Sequence, residues 1–142
     1  MVGNYKPFNE KVFISNDPKS REVVIDYMKS LGFFFESNTN NKYTIDLLGI
    51  NVSWNIELER RSVWNKETFP FSEINIPARK QSTLENDKTC YCIVNSSFDR
   101  LGILHHSKLT KYINMAYLNN NKSCLGEYFF KIPRSEFVWI KI

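Results

Sequence analysis

Four residues in the middle third of the chain, Asp46, Glu57, Glu59 and Lys80, are of the types that bind and use a divalent cation. They lie in the segments YTIDLLG, INVSWNIELERR and INIPARK. In the second segment Val52, Trp54, Ile56 and Leu58 alternate with Ser53, Asn55, Glu57, Glu59 and Arg61, the period-two pattern of a strand with one buried face. Glu57, Glu59 and Arg61 are therefore expected to point the same way. Carboxylates converging from two neighbouring strands, with a cation beside them, can hold Mg²⁺ or Mn²⁺ and activate water against a phosphodiester. The pattern predicts metal-assisted phosphodiester hydrolysis. The plainer alternative is a solvated strand face, with Arg60, Arg61 and Lys80 in surface ion pairs worth about 0–1 kcal/mol each.

The elements that must position these residues can be read on either side. KVFIS reads as a short strand stopping at Asn16. Asp17 then suits a helix cap and Pro18 the first helical position, while Val23, Val24, Tyr27, Met28 and Leu31 repeat at helical spacing until Gly32. Arg21, Glu22, Asp26 and Lys29 take the other faces. FFFES reads as a strand, NTNNK as a turn and YTIDLLG as the next strand. Gly49 and Asn51 predict a tight hairpin, which makes the Asp46 strand and the Glu57/Glu59 strand antiparallel neighbours. After Arg61, two prolines and three aromatics in SVWNKETFPFSEINIPARK predict an ordered loop packed on the core, with INIP extended. TCYCIVNSS and RLGILH read as strands. Ser107 can cap a helix with an apolar face of Leu109, Tyr112, Ile113, Ala116 and Tyr117, ended by NNNKS. GEYFFKIP and SEFVWIKI close the chain as strands split at Pro133.

This order of helix, strand, strand with Asp46, strand with Glu57, then strand and helix resembles the core of the PD-(D/E)XK nuclease superfamily over residues 17–106. The resemblance implies an α/β (α+β) fold with a central mixed β-sheet flanked by helices, the restriction-endonuclease-like core. It implies DNA as substrate and Mg²⁺ or Mn²⁺ as cofactor, held by Asp46, Glu57 and Glu59. It also suggests a homodimer able to cut both strands, and an acid on the first helix, Glu22, near the site. The sequence departs from the family motif two positions after Glu57, where Glu59 stands in place of lysine. In one account Glu57 and Glu59 both serve the metal and Lys80 supplies the cation. In the other the register moves by two, Glu59 takes the glutamate role and Arg61 the place of the lysine. Arginine stays protonated and can only stabilise charge on phosphate, which favours the first account. Arg60, Arg61, Lys66 and Arg79 flank the acids and are the candidate nucleic-acid contacts. Trp64, Phe69 and Phe71 could stack on bases, or pin the loop to the core. The missing lysine also leaves a second reading, a noncatalytic nucleic-acid-binding or protein-interaction module on a degenerate nuclease scaffold.

Length and composition bound these readings. A chain of 142 residues fits one domain and can bury roughly 65–70% of its unfolded surface. Hydrophobic residues at 42% and aromatics at 15% exclude a disordered chain. The net charge of +4 agrees with a polyanionic partner. Three cysteines, Cys90, Cys92 and Cys124, offer no zinc-ligand spacing and read as reduced thiols. His105 and His106 end a strand in tandem and are expected to point to opposite sides. No Gly-rich phosphate loop or nucleophile with a positioned base supports nucleotide-driven or covalent chemistry. No membrane span or basic-then-apolar leader is evident, so a cytoplasmic location is expected. Abundant asparagine and lysine fit an AT-rich genome such as that of a phage or a low-GC bacterium.

Overall fold

In the computed structural model, residues 10–39, 45–85, 88–113, 116–118 and 128–142 are described. The chain opens on α1 (Glu10–Ser30), which runs through Pro18. KVFIS is therefore helical, and the helix starts well before the expected Asp17 cap. Proline's fixed φ suits a helix, and the cost falls on one missing N–H and a crowded Ile14 carbonyl. From Ser20 onward the inward side is legible: Ser20, Arg21, Val24 and Met28 are buried at helical spacing. Gly32 ends the helix at φ 87°, with Gly32 N–H donating to the Lys29 carbonyl and Phe33 N–H to the Met28 carbonyl. This is a Schellman cap, whose left-handed residue favours glycine.

Three strands follow, β1 (Phe35–Ser37), β2 (Leu47–Gly49) and β3 (Trp54–Arg60), as an antiparallel meander. Leu47 pairs with Ile56, as the tight-hairpin reading expects. Asn51 fastens the hairpin to the helix exit by accepting from Phe34 N–H at 2.8 Å and donating to the Gly32 carbonyl at 2.9 Å. The chain then leaves the sheet through a loop that buries Trp64 and Phe69, forms β4 (Glu73–Pro77), a 3-10 turn (Ala78–Lys80) and α2 (Gln81–Glu85), and returns as β5 (Lys88–Val94). β5 lies parallel to β3, with Glu57 opposite Tyr91 and Glu59 opposite Ile93. It is buried from Thr89 to Val94, as a central parallel strand covered on both faces must be. β6 (Arg100–Leu104) and β9 (Val138–Lys141) complete a six-stranded mixed sheet of order β1-β2-β3-β5-β6-β9.

The remaining elements give two corrections. α3 (His106–Leu109) is one short turn capped by His105, not by Ser107. The stretch Ala116–Leu118, expected to continue that helix, is the strand β7 and pairs with β8 (Tyr128–Pro133), Ala116 opposite Phe130. Cross-strand pairing outweighs the helical spacing of so short a segment. β4, β8 and β7 form a second, three-stranded sheet. Residues 40–42 of the expected NTNNK turn, the NNNKS helix end and Cys124 lie outside the described residues.

The layers follow from two apolar clusters. One joins Val24 and Met28 of α1 to Ile56, Leu58, Cys92, Val94 and Leu101. The other joins Tyr91, Ile93 and Leu104 to Ile74, Ile76, Phe130 and Ile132 of the small sheet, with Trp64 and Phe69. The mixed sheet is thus covered by α1 on one face and by the small sheet with its short helical turns on the other, where flanking helices were expected. Among the described residues, no helix is long and apolar enough to cross a membrane.

Candidate active site

β3 presents Glu57 and Glu59 on the face opposite Ile56 and Leu58, as its alternation requires. Glu57 is 6% exposed, a rare setting for a carboxylate. Asp46, 8% exposed, stands just before β2, and its Oδ2 accepts the Leu58 N–H of β3 at 2.8 Å. That bond brings the Asp46 carboxyl alongside Glu57, and the two acids repel each other. Burial and the Glu57 charge push the Asp46 carboxyl up to about 8, against the smaller opposing effects of the Leu58 N–H, Arg21 and Lys80.

Three cations hold the acids. Arg21 of α1, itself 6% exposed, places Nη2 2.8 Å from Asp46 Oδ1. Its Nη1 donates to the Asp46 carbonyl at 2.9 Å, the Asn38 carbonyl at 2.8 Å and Ser37 Oγ at 2.7 Å. Lys80, from the turn after β4, puts Nζ 2.7 Å from Glu57 Oε2 and 3.9 Å from Glu59 Oε2. Burial lowers the Lys80 pKa, but Glu59, Glu57 and Asp46 together outweigh it and hold the ammonium above its ordinary value. Arg61 Nε stands 3.1 Å from Glu59 Oε1. This is an ion pair by distance, although the N–H is not aimed well enough to make a hydrogen bond. Tyr91 donates its hydroxyl to Glu59 Oε2 at 2.7 Å and accepts from Arg61 Nη2 at 3.0 Å. Burial would raise the Glu59 pKa, but Arg61, Lys80 and the Tyr91 hydroxyl hold it below the usual carboxylate value.

Three buried side-chain atoms among the described residues make no hydrogen bond, Glu57 Oε1, Arg60 Nε and Arg61 Nε, and Glu57 Oε1 is the one that can accept. A buried carboxylate oxygen left unpaired is costly. It is the donor that a hard cation would use, and Asp46 beside it supplies a second carboxylate. Among the described residues no three His, Cys, Asp or Glu side chains converge closely enough to form a metal cage by themselves. Mg²⁺ does not need one, since it keeps several waters and commonly takes one or two carboxylates plus phosphate oxygens. Asp46 and Glu57 fit such a cation.

Asp46, Glu57, Glu59 and Lys80 are therefore brought together, and the lysine reaches Glu57 rather than pointing away. Arg61 pairs with Glu59, while Lys80 bonds Glu57 and stands farther from Glu59. Arg79 is exposed on the Lys80 turn and close enough to act on the Glu59 charge, and Lys66 is exposed in the loop after β3. Arg60 does not join this face. Its Nη2 donates to the Ser96 carbonyl at 2.8 Å and its guanidinium lies 4.9 Å from the Phe98 ring, on the α1 side of the sheet, because its position in the alternation is that of Leu58. Glu22 is exposed. Trp64 and Phe69 are buried, and only Phe71 of the loop aromatics is open, at 55% exposure. The histidines do not diverge: their rings lie 4.1 Å apart, because His105 has left the strand to cap α3. Sequence reasoning missed Arg21, which looked like one of several outward charges. Its spacing of three from Val24 and seven from Met28 was the available signal. No protein-family model matches the sequence, and no curated protein matches it significantly.

Proposed function

We propose that the protein is a divalent-metal-dependent nuclease that hydrolyses phosphodiester bonds in DNA. The observation that carries this reading is the buried, unpartnered Glu57 Oε1 beside Asp46, with the Lys80 ammonium on the other Glu57 oxygen. Burial first, and the Glu57 charge second, raise the Asp46 pKa, and a bound cation would offset both. A Mg²⁺ or Mn²⁺ ion held by Asp46 and Glu57 would supply a polarised water and neutralise charge on the phosphate. Glu59 is committed to Arg61 and Tyr91, so its part in the reading shifts from ligand to support.

Lys80 is held protonated by its acidic neighbours, so its role is that of a charge and a donor. It orients the attacking water and stabilises the negative charge that builds on the phosphoryl oxygens. It does not act as the base. Arg79 and Lys66, exposed near the chain's crossover, would draw the backbone toward the acids. The observed strand order, a three-stranded antiparallel meander followed by a crossover to a parallel strand, supports a restriction-endonuclease-like core. A homodimer would present two such sites to the two strands.

The test is nicking of supercoiled plasmid and single-stranded DNA with Mg²⁺, Mn²⁺ or EDTA, for the wild type, Asp46→Asn and Glu57→Gln. Metal-dependent cleavage that falls at least about a hundredfold in both variants is expected. Absence of cleavage on every substrate, with gel shifts that ignore EDTA, would sink the enzyme reading and favour the noncatalytic binding module.

A further inference from the structure

A lysine delivered from outside the acidic strand has to be held, since its flexible four-carbon stem samples many rotamers. The turn that bears Lys80 is only three residues long and follows Pro77 directly. A chain of contacts leads to it. Glu59 Oε2 lies 3.9 Å from Lys80 Nζ, the ammonium that bonds Glu57 Oε2 at 2.7 Å. Glu59 is fixed in turn by the fully buried Tyr91, whose hydroxyl donates to it at 2.7 Å, and by Arg61 at 3.1 Å. Arg61 Nη2 also donates to the Asn75 carbonyl at 2.7 Å, and Asn75 sits in β4, the strand that leads into the Lys80 turn.

We infer that Glu59, Tyr91 and Arg61 are a positioning assembly that locks Lys80 against Glu57, and that Glu59 is not a metal ligand. Glu59 sets where the ammonium stands, Tyr91 sets where Glu59 stands, and Arg61 ties both to the backbone that carries the lysine. Glu57 keeps one oxygen free of protein partners, whereas Glu59 is paired through Oε2 with the Tyr91 hydroxyl and through Oε1 with Arg61, much as Asp46 is paired with Leu58 N–H and Arg21, so the Mn²⁺ affinities of Glu59→Gln and Asp46→Asn separate support from ligand. The acid that replaces the lysine two positions after Glu57 is, in this view, what makes a lysine from elsewhere usable. The inference rests on the nuclease reading for its purpose, but its geometry can be tested without cleavage.

The experiment uses the full chain with Tyr91→Phe and Glu59→Gln. Reductive methylation of Lys80 without metal is followed by mass spectrometry, with the exposed Lys66 as internal reference. Mn²⁺ affinity is measured by calorimetry beside Asp46→Asn. Lys80 should react several-fold faster in both variants while Lys66 is unchanged. Mn²⁺ affinity should change by less than about threefold, whereas Asp46→Asn should lose more than about tenfold. In cleavage, kcat should fall about tenfold with KM unchanged. Unchanged Lys80 reactivity in Tyr91→Phe, or a Mn²⁺ loss in Glu59→Gln as large as in Asp46→Asn, would overturn the inference. Tyr91→Phe removes one oxygen and carries the test alone if Glu59→Gln does not fold. If the wild type cleaves nothing, the nuclease reading fails, while the methylation result still decides the clamp.

Discussion

Asp46 concentrates the electrostatic tension of the site, and its consequences have a definite sign. Its pKa rises on folding from 3.8 to about 8, so the folded chain holds the proton more tightly than the unfolded chain. The resulting stabilisation is full below pH 3.8 and is lost as pH climbs to about 8. Melting temperatures in EDTA should therefore decline across that window, and Asp46→Asn should flatten the decline. Metal must displace the same proton. Mn²⁺ affinity should rise by about tenfold per pH unit below this pKa and level off above it, as titration calorimetry at several pH values would reveal. A pH-independent affinity would exclude Asp46 as a ligand. The acids and the lysine were legible in the sequence because side-chain type and period-two alternation state them directly. Arg21 was not, because a guanidinium on a helix dotted with charges gives no sign that it turns inward until its acceptors at Ser37, Asn38 and Asp46 are in place.

Among the elements, two positions test how the frame is set. Pro18 lies inside α1, and Pro18→Ala should stabilise the protein by about 2 kcal/mol, the helical gain less the added freedom of the unfolded chain, measured by urea unfolding. Gly49 allows the β2–β3 hairpin to close. A Cβ there would stand 2.4 Å from the Trp54 carbonyl oxygen and 2.7 Å from that of Val52, both backbone atoms that cannot yield cheaply. Gly49→Ala should cost about 1–3 kcal/mol and slacken the hairpin that sets Asp46 against β3. The meander, the hairpin and the buried central strand could be read from alternation and turn residues. The start of α1 could not, since VFI read as a strand and Pro18 as a beginning. Nor could β7, where the apolar spacing after Leu109 matched a helix until pairing with β8 decided otherwise. Arg60 and Arg61, adjacent in sequence, part to opposite faces of the sheet, a separation that alternation alone dictates.

At the scale of the whole molecule, the site is a link between layers. Arg21 comes from the helix layer, the acids from the mixed sheet, and Lys80 from the connection to the small sheet. A cation bound there stabilises the folded state by mass action, by about 2.7 kcal/mol at a hundred times its dissociation constant. Mg²⁺ or Mn²⁺ should thus raise the melting temperature of the wild type by several degrees and leave Asp46→Asn unmoved; equal shifts in both would place the ion elsewhere. The parallel pairing of β3 and β5 carries a last implication, for the order of events in folding. β1, β2 and β3 can meet through local turns, but Lys80 and Asn75 lie on the crossover, the longer stretch between β3 and the parallel β5. Loop-closure entropy predicts that the carboxylates assemble before their lysine arrives, an order that pulsed hydrogen exchange during refolding would check. A chain halted between those steps would hold Asp46 and Glu57 without the Lys80 ammonium, an acidic knot lacking the counter-charge that the finished fold supplies.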